Sequence, residues 1–525
     1  MNPNLYNELN KGWKSTCKIV LGDEIGELKD YEEWLKEYLP AVGRRKSHLS
    51  GNEVILSMDD YCETANFVSL DEMKEKAVSL DINEIKDIDS ILEAISESWE
   101  YCGYRVLGNS KFVESSDLVM DSQYVADSAN VQQSMKVFAS TMIRMNSQYA
   151  FGSAGFGKGE FILRAVNAFN IKRSFEGHFF ADCSDIYFCY NAFGCHDMMF
   201  SFGQRNKHHM IGNLALSPDK YLELKKKLLE DIRDELKRSK RFPSLFELVP
   251  DKKPDPDIKI PELQRNRETD LSVIEKAFSS TLKIIFKKDI THRMDDCADW
   301  LQRHTHKIKE LKSPFGATTY MPDGPSFTSA FSMFPKKRMV SYEESFELGK
   351  IHLDESELSN LGKIREKLGR IGFFTDETYE GNTHNCIRMN VAYNSSNSYR
   401  QNDATNSEYC ALGSWALDSK YVFGCQRIID SQFCVKCYNS LRLNRCLELD
   451  TCTNCSDTLF SHNSEGLQEA MFCFNTKSKR HAIGNTQLPQ EQYRKIKDAI
   501  IGQMADEIIK SKGLKWDIYN IGCYR

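Results

Sequence analysis

No run in this sequence approaches the roughly 18 consecutive apolar residues that a membrane-spanning helix needs. The opening stretch, MNPNLYNELNKGWKST, carries no apolar h-region of a signal peptide. These two absences predict a cytoplasmic protein with no membrane partner. A charge excess is also missing: 69 Lys and Arg face 75 Asp and Glu, a formal net charge of −6. That balance excludes an obligatory polyanion binder but leaves room for local basic patches. Proline is sparse, 13 in 525 residues, and five of those fall in FPSLFELVPDKKPDPDIKIPE, residues 242–262. That clustering marks 242–265 as a linker. Cysteine is not scarce, at 17. In a reducing compartment these are expected to be thiols or metal ligands, and disulfide rungs such as Cys183–Cys189 would need an oxidising one.

What the chain has instead is a period of three. From Cys386 to Cys473 every third residue is small, apolar or cysteine, and of these thirty positions Gln401 alone is long and polar. The other two phases hold Arg, Asn, Asp, Lys, Tyr and Phe. A helix repeats near 3.6 residues and a simple strand at 2, so neither explains the pattern. A narrow β-solenoid does: short strands alternate with tight corners, and every third side chain points inward. An earlier stretch has the same design. Val119, Ser122, Val125, Ser128, Val131, Ser134, Val137, Ser140 and Ile143 alternate, a one-residue insertion near 144–146 shifts the phase, and the pattern resumes from Ser147 to Met198.

The two stretches are copies. Cys183, Asp185, Phe188, Asn191, Gly194, His209, Gly212 and Asn213 match Cys455, Asp457, Phe460, Asn463, Gly466, His481, Gly484 and Asn485 at a constant separation of 272. Upstream the match is weaker, with Trp34-Leu35 against Trp300-Leu301 and Val68-Ser69 against Val340-Ser341. The expected fold is mixed α+β with an internal tandem duplication. Each module has an N-terminal α+β part, then a narrow solenoid closed by a hairpin and a C-terminal helix. The expected boundaries are 1–112 (α+β), 113–202 (solenoid), 203–241 (hairpin and helical cap), 242–265 (linker), 266–380 (α+β), 381–474 (solenoid) and 475–525 (hairpin, cap and tail). Helices are expected over 25–38 and from Asp87 to Glu100, and cap helices at Ser217-Pro218 and Pro489.

The spacing resembles the narrow twelve-residue-coil solenoids of the insect antifreeze type, which also place small residues and cysteine inside. Their flat outer threonine ladders are missing, since Thr451 and Thr453 have Asn, Leu and Glu one coil away. The whole chain is similar to uncharacterised Cys/Asn/Ser-rich tandem β-solenoid repeat proteins with helical caps, a group with no function attached.

Four candidate chemistries can be weighed. Cys434-x2-Cys437-x14-Cys452-x2-Cys455 resembles a four-cysteine zinc site, one residue short in the middle. The first copy carries Ile162, Ala165, Phe180 and Cys183 there, which suits a core better than a ligand set. Residues 152–159, GSAGFGKG, match a phosphate loop but end in Gly where Ser or Thr would bind magnesium, and they lie in the solenoid phase. Lys207, His209 and Asn213, kept as Lys479, His481 and Asn485, are the candidates for partner binding, against the plainer reading that they satisfy backbone groups at the cap. Basic residues cluster on the first cap helix from Lys225 to Arg241, interleaved with Glu230, Asp231, Asp234 and Glu235.

The expectation is therefore a non-enzymatic structural or scaffold protein that associates with itself, with no cofactor unless zinc is held. The alternatives are an RNA or ribonucleoprotein binder, and an enzyme with its site between the α+β parts and the solenoids.

Overall fold

The computed structural model describes residues 1–76, 78, 85, 87–263, 269–324 and 327–524. The last two positions of the expected linker, 264–265, and Arg525 lie outside the described residues.

The period of three turns out to belong to the backbone as well as the side chains. All thirty inward positions from Cys386 to Cys473 are buried. The residue before nearly every one sits in the left-handed region, as at Arg388 (φ 51°), Asn397 (φ 48°) and Asn406 (φ 49°). A left-handed residue every third position bends the chain repeatedly, so twelve residues bring it back above its start. Strands accordingly pair in parallel with the segment twelve residues on: Val119 with Val131, Val125 with Val137, Cys434 with Cys446. At the insertion Ile143 pairs with Phe156, and Met145 and Asn146 both adopt positive φ (59° and 58°) to absorb the extra residue.

Two sixteen-stranded sheets result, one running from Val106–Leu107 to Leu214–Ala215 and the other from Thr378–Glu380 to Thr486–Gln487. They are called here the first and second stack. The interior of each is a filled column. Apolar positions such as Val119, Val125 and Val131 stack upon one another. Each such buried side chain contributes about 1.5–3 kcal/mol over exposure. The serines between them serve the main chain. Ser407 Oγ donates to Thr405 O (2.8 Å) and accepts from Ser419 N (3.1 Å), one coil on. Ser419 and Ser431 repeat this.

Each stack closes with an antiparallel pair, Ile211 to Leu214 and Ile483 to Thr486, followed by helices Pro218–Ser239 and Gln490–Ser511. Ser217 caps the first, with Pro218 in its first turn. Tyr221, Leu224, Leu228, Ile232 and Leu236 make its buried stripe, and Tyr493, Ile496, Ile500, Met504 and Ile508 that of the second.

The segments between are exchanged. Helix Pro3–Leu21 packs on the first stack, where Gly12 lies against Lys136 and Tyr149. Helix Leu271–Phe286 packs on the second, where Phe278 meets Phe423 at 5.2 Å. The described residues of 43–103, however, leave the first stack and cover the closed end of the second, with Trp99 4.9 Å from Phe474. Residues 308–374 do the reverse, and Phe374 lies 5.8 Å from Phe202.

Two expected helices are shorter than their periodicity implies. Residues 25–38 form a 3₁₀ turn, Leu28–Tyr31, and a short helix, Glu32–Lys36, because the buried Arg164 takes the Trp34 carbonyl. The helix expected from Asp87 spans Ile88–Ile95, since Tyr101–Gly103 is drawn out as a strand beside Phe67–Ser69. The stretch taken as linker also begins inside the core: Phe242, Leu245, Phe246, Leu248 and Val249 are buried.

Candidate functional site

Where the exchanged segments pass between the stacks, they enclose a cavity of about 370 Å³. Residues 40–42 and 57–60 form one wall and 303–306 another; Asn130, Thr141 and Met142 come from the first stack, and Trp415, Gln426, Arg427 and Asn439 from the second. Asn130, Met142, Trp415, Arg427 and Asn439 all occupy left-handed positions (φ 47–62°), which turn their side chains outward from the stacks and into this space.

Arg303, Arg427, His304 and His306 line this cavity together with the carboxylates Asp59 and Asp60; Asp59 is paired with Arg45 (2.8 Å) and Arg303 with Asp517 (2.8 Å). Arg427 Nε is enclosed and has no hydrogen-bond partner among the described residues. Burial, with Arg144 and Arg105 nearby, pulls its pKa down to about 10. Arg144 lies 4.3 Å over the Trp415 ring, with Nε and Nη1 also unpartnered. Burial lowers its pKa, against the pull of Asp403 and Asp418. Trp415 Nε1 donates to Asp403 Oδ2 (2.8 Å), and burial lifts Asp403 to about 6. His304 stands 3.4 Å from Asp60 and 3.2 Å from Asp517; burial opposes its protonation, but the carboxylates outweigh it and its pKa rises. Burial dominates at His306 and lowers it. Gln426 Oε1 and Asn130 Oδ1 are enclosed without partners as well. Such a wall stabilises a bound negative charge and can accept hydrogen bonds from the same ligand.

None of the residues picked from the sequence lines this cavity. Asn213 and Asn485 sit at the closed ends in the same arrangement. Their Oδ1 atoms accept from Phe202 N (2.7 Å) and Phe474 N (3.0 Å). Their Nδ2 groups hold the segment arriving from the other half, at Ile351 O and Lys76 O (both 2.9 Å). His209 and His481 lie 5.6 Å from Tyr221 and Tyr493 on the cap helices. His481 Nε2 also meets Glu469 at 2.8 Å. Lys479 pairs with Glu75 (2.6 Å), whereas Lys207 is exposed. The twinned His and Asn thus make matching contacts at the two closed ends.

The four cysteines of the zinc-like spacing point into the second stack. Cys434, Cys437, Cys452 and Cys455 donate to the carbonyls of Gln432 (3.3 Å), Val435 (3.6 Å), Asp450 (3.5 Å) and Thr453 (3.3 Å), as the interior serines do. Among the described residues no three His, Cys, Asp or Glu side chains gather into a metal-binding group. One cysteine pair departs from the expectation of free thiols: Cys62 and Cys523 form a disulfide, with Cα atoms 6.2 Å apart across 461 residues of sequence. Neither lies in the three-residue phase, and only the exchanged segment brings residue 62 to the tail.

Residues 154–163 are one strand, Ala154–Leu163, with no helix to receive a phosphate after the glycines. The basic cap helix is largely engaged within the molecule: Lys225 with Asp197 (3.4 Å), Lys237 with Asp23 (3.2 Å), and Arg241 with Glu247 (2.8 Å). No helix among the described residues is long and apolar enough to cross a membrane.

Comparison with protein-family models, with curated proteins and with solved structures returned no match. The cavity therefore stands on its own geometry. The signal for it was a difference between copies, since Gly155 stands where the second copy has Arg427. Phe327 fills the space beside Gly155, where an added Cβ would come within 2.4 Å of the ring.

Proposed function

We propose that the chain is a tandem duplicate whose two β-solenoids form a structural scaffold, and that it associates with further copies of itself. The observation that supports this is the contrast between the ends of each stack. One end is closed by hairpin, helix and exchanged segment. At the other, the first-coil strands Lys111–Glu114 and His384–Ile387 pair on one side only among the described residues. An unpaired strand edge is a template for another chain. An exposed ring, Phe112, lies on the first of these edges, and exposed Tyr393 lies one coil in from the open end of the second stack, paired with Glu380 and Thr405.

The test is the native mass across a range of concentrations, with metal and nucleic-acid content read on the same sample. The scaffold reading expects a homo-oligomer that Phe112→Lys with Tyr393→Lys dissociates while each chain stays folded. A strictly monomeric particle overturns it. Co-purifying RNA, lost on Lys225→Glu and Lys479→Glu, would favour the ribonucleoprotein alternative. The central cavity favours a second reading, in which a small molecule is bound between the α+β segments and the stacks.

A further inference from the structure

We propose that the cavity between the two stacks is a binding site for a small phosphate-bearing molecule, with the phosphoryl group held by Arg427. The argument begins with an imbalance. Two guanidinium groups, Arg427 and Arg144, face or back this space with enclosed N–H groups that no described residue accepts. Buried polar groups in folded proteins are satisfied in the great majority of cases, and an unpaired buried charge is costly. Several deeply buried cations in this chain obey that rule. Arg105 is bonded through Nε and Nη2 to Asp117 (3.0 and 2.6 Å), Arg164 is paired with Glu176, and Lys436 lies 3.4 Å from Glu448. Arg144, Arg338 and Arg427 depart from it, each with an enclosed N–H that no described residue accepts, and of these three Arg427 lines the cavity.

The chemistry of the walls narrows the ligand. On the opposite wall His304 is already matched by Asp60 (3.4 Å) and Asp517 (3.2 Å), so the unmatched positive charge is that of Arg427. Arginine's planar fork matches phosphate oxygens in pairs. The enclosed acceptors Gln426 Oε1 and Asn130 Oδ1 fit hydroxyl donors, either on a protonated phosphate or on the rest of an ester. At about 370 Å³ the space lies within the range of small-molecule sites and exceeds what phosphate alone fills. Trp415 and Phe327 supply an apolar wall for an attached group. Association between copies of the chain is not required for any of this.

The test uses the full chain at constant ionic strength, with chloride replaced stepwise by inorganic phosphate or by phenyl phosphate. A ligand that binds only the folded state raises Tm with its concentration. The expected result is a rise beyond the chloride control, together with broadening of the ligand's ³¹P resonance. Equal rises with both probes assign free phosphate; a larger rise with phenyl phosphate assigns an ester whose ring lies by Trp415. Arg427→Met should lose the response while its Tm without ligand stays equal or increases, because an unpaired charge has been removed. Arg427→Lys should keep a reduced response. The proposal is overturned if wild type shows neither a Tm rise nor ³¹P broadening, or if Arg427→Met responds as wild type does. A lower Tm in ligand-free Arg427→Met would also overturn it, by marking Arg427 as structural.

Discussion

At the scale of single residues, two alternating demands shape the stacks. An inward residue must be small or apolar, or must serve the main chain as Ser407 does. The residue before it must tolerate a left-handed backbone, which β-branched side chains resist. Among the described non-glycine residues with positive φ, Thr451 alone is β-branched. The Asn, Asp, Arg and aromatic residues of the outward phases are therefore selected partly for backbone conformation. Lys158 (φ 53°, exposed) offers a clean test. Lys158→Val should cost about 1–2 kcal/mol and Lys158→Gly close to nothing, read as the shift in urea midpoint. Equal losses in the two variants would show that the side chain and not the backbone matters there. The first demand was legible in the composition of every third residue. The second was hidden, because a left-handed backbone leaves only a negative signature, the absence of Val, Ile and Thr.

At the scale of elements, each stack fastens its front segment with one buried ion pair, and the two pairs have diverged. Arg164 and Glu176 hold the Trp34 carbonyl and the Leu245 amide. Lys436 and Glu448 hold the Trp300 carbonyl (3.0 Å) and the Ile518 amide (3.1 Å). Burial raises the Glu176 pKa, but Arg164 outweighs it and the group sits at about 2. For Glu448 burial wins over Lys436, and the group sits at about 7. A carboxyl whose folded pKa exceeds its unfolded value, near 4.3, binds protons more tightly when folded. Its contribution to stability is complete below the unfolded value and is lost as pH rises through about 7. Melting curves at pH 5, 6, 7 and 8 should show wild-type Tm falling from pH 5 to about pH 7 and levelling off above it, and Glu448→Gln should flatten the fall. An unchanged slope would place Glu448 as an ordinary ionised partner of Lys436. Arg164 and Lys436, like Glu176 and Glu448, stand 272 residues apart, but one-dimensional spacing could not say that they were enclosed.

At the scale of the whole molecule, the halves are not beads on a string. Residues 43–103 complete the second stack and 308–374 the first, with Cys62–Cys523 adding a covalent tie to the tail. The connection between halves is exposed at Lys252, Lys253, Asp255, Pro256 and Asp257. A protease site inserted there and cleaved should leave both fragments eluting together under non-reducing, native conditions, and also after reduction, since the exchanged cores remain. Fragments that separate after reduction would show that the exchanged contacts hold too little surface to bind alone. Neither this exchange nor the cavity it creates could be read from the chain. The front segments of both copies look alike, and likeness does not say which stack each will cover.

Sequence alone determined the local geometry: a three-residue count, short parallel strands, thiols and hydroxyls inside, and the helices at Pro218 and Gln490. These follow from neighbours and fixed periods, which a chain carries wherever it goes. Tertiary structure alone decided which half covers which stack, that Cys62 would meet Cys523, and that Arg427 would face a cavity with its Nε unpartnered among the described residues. Those depend on contacts between residues hundreds of positions apart, where no repeat or spacing records who will be adjacent.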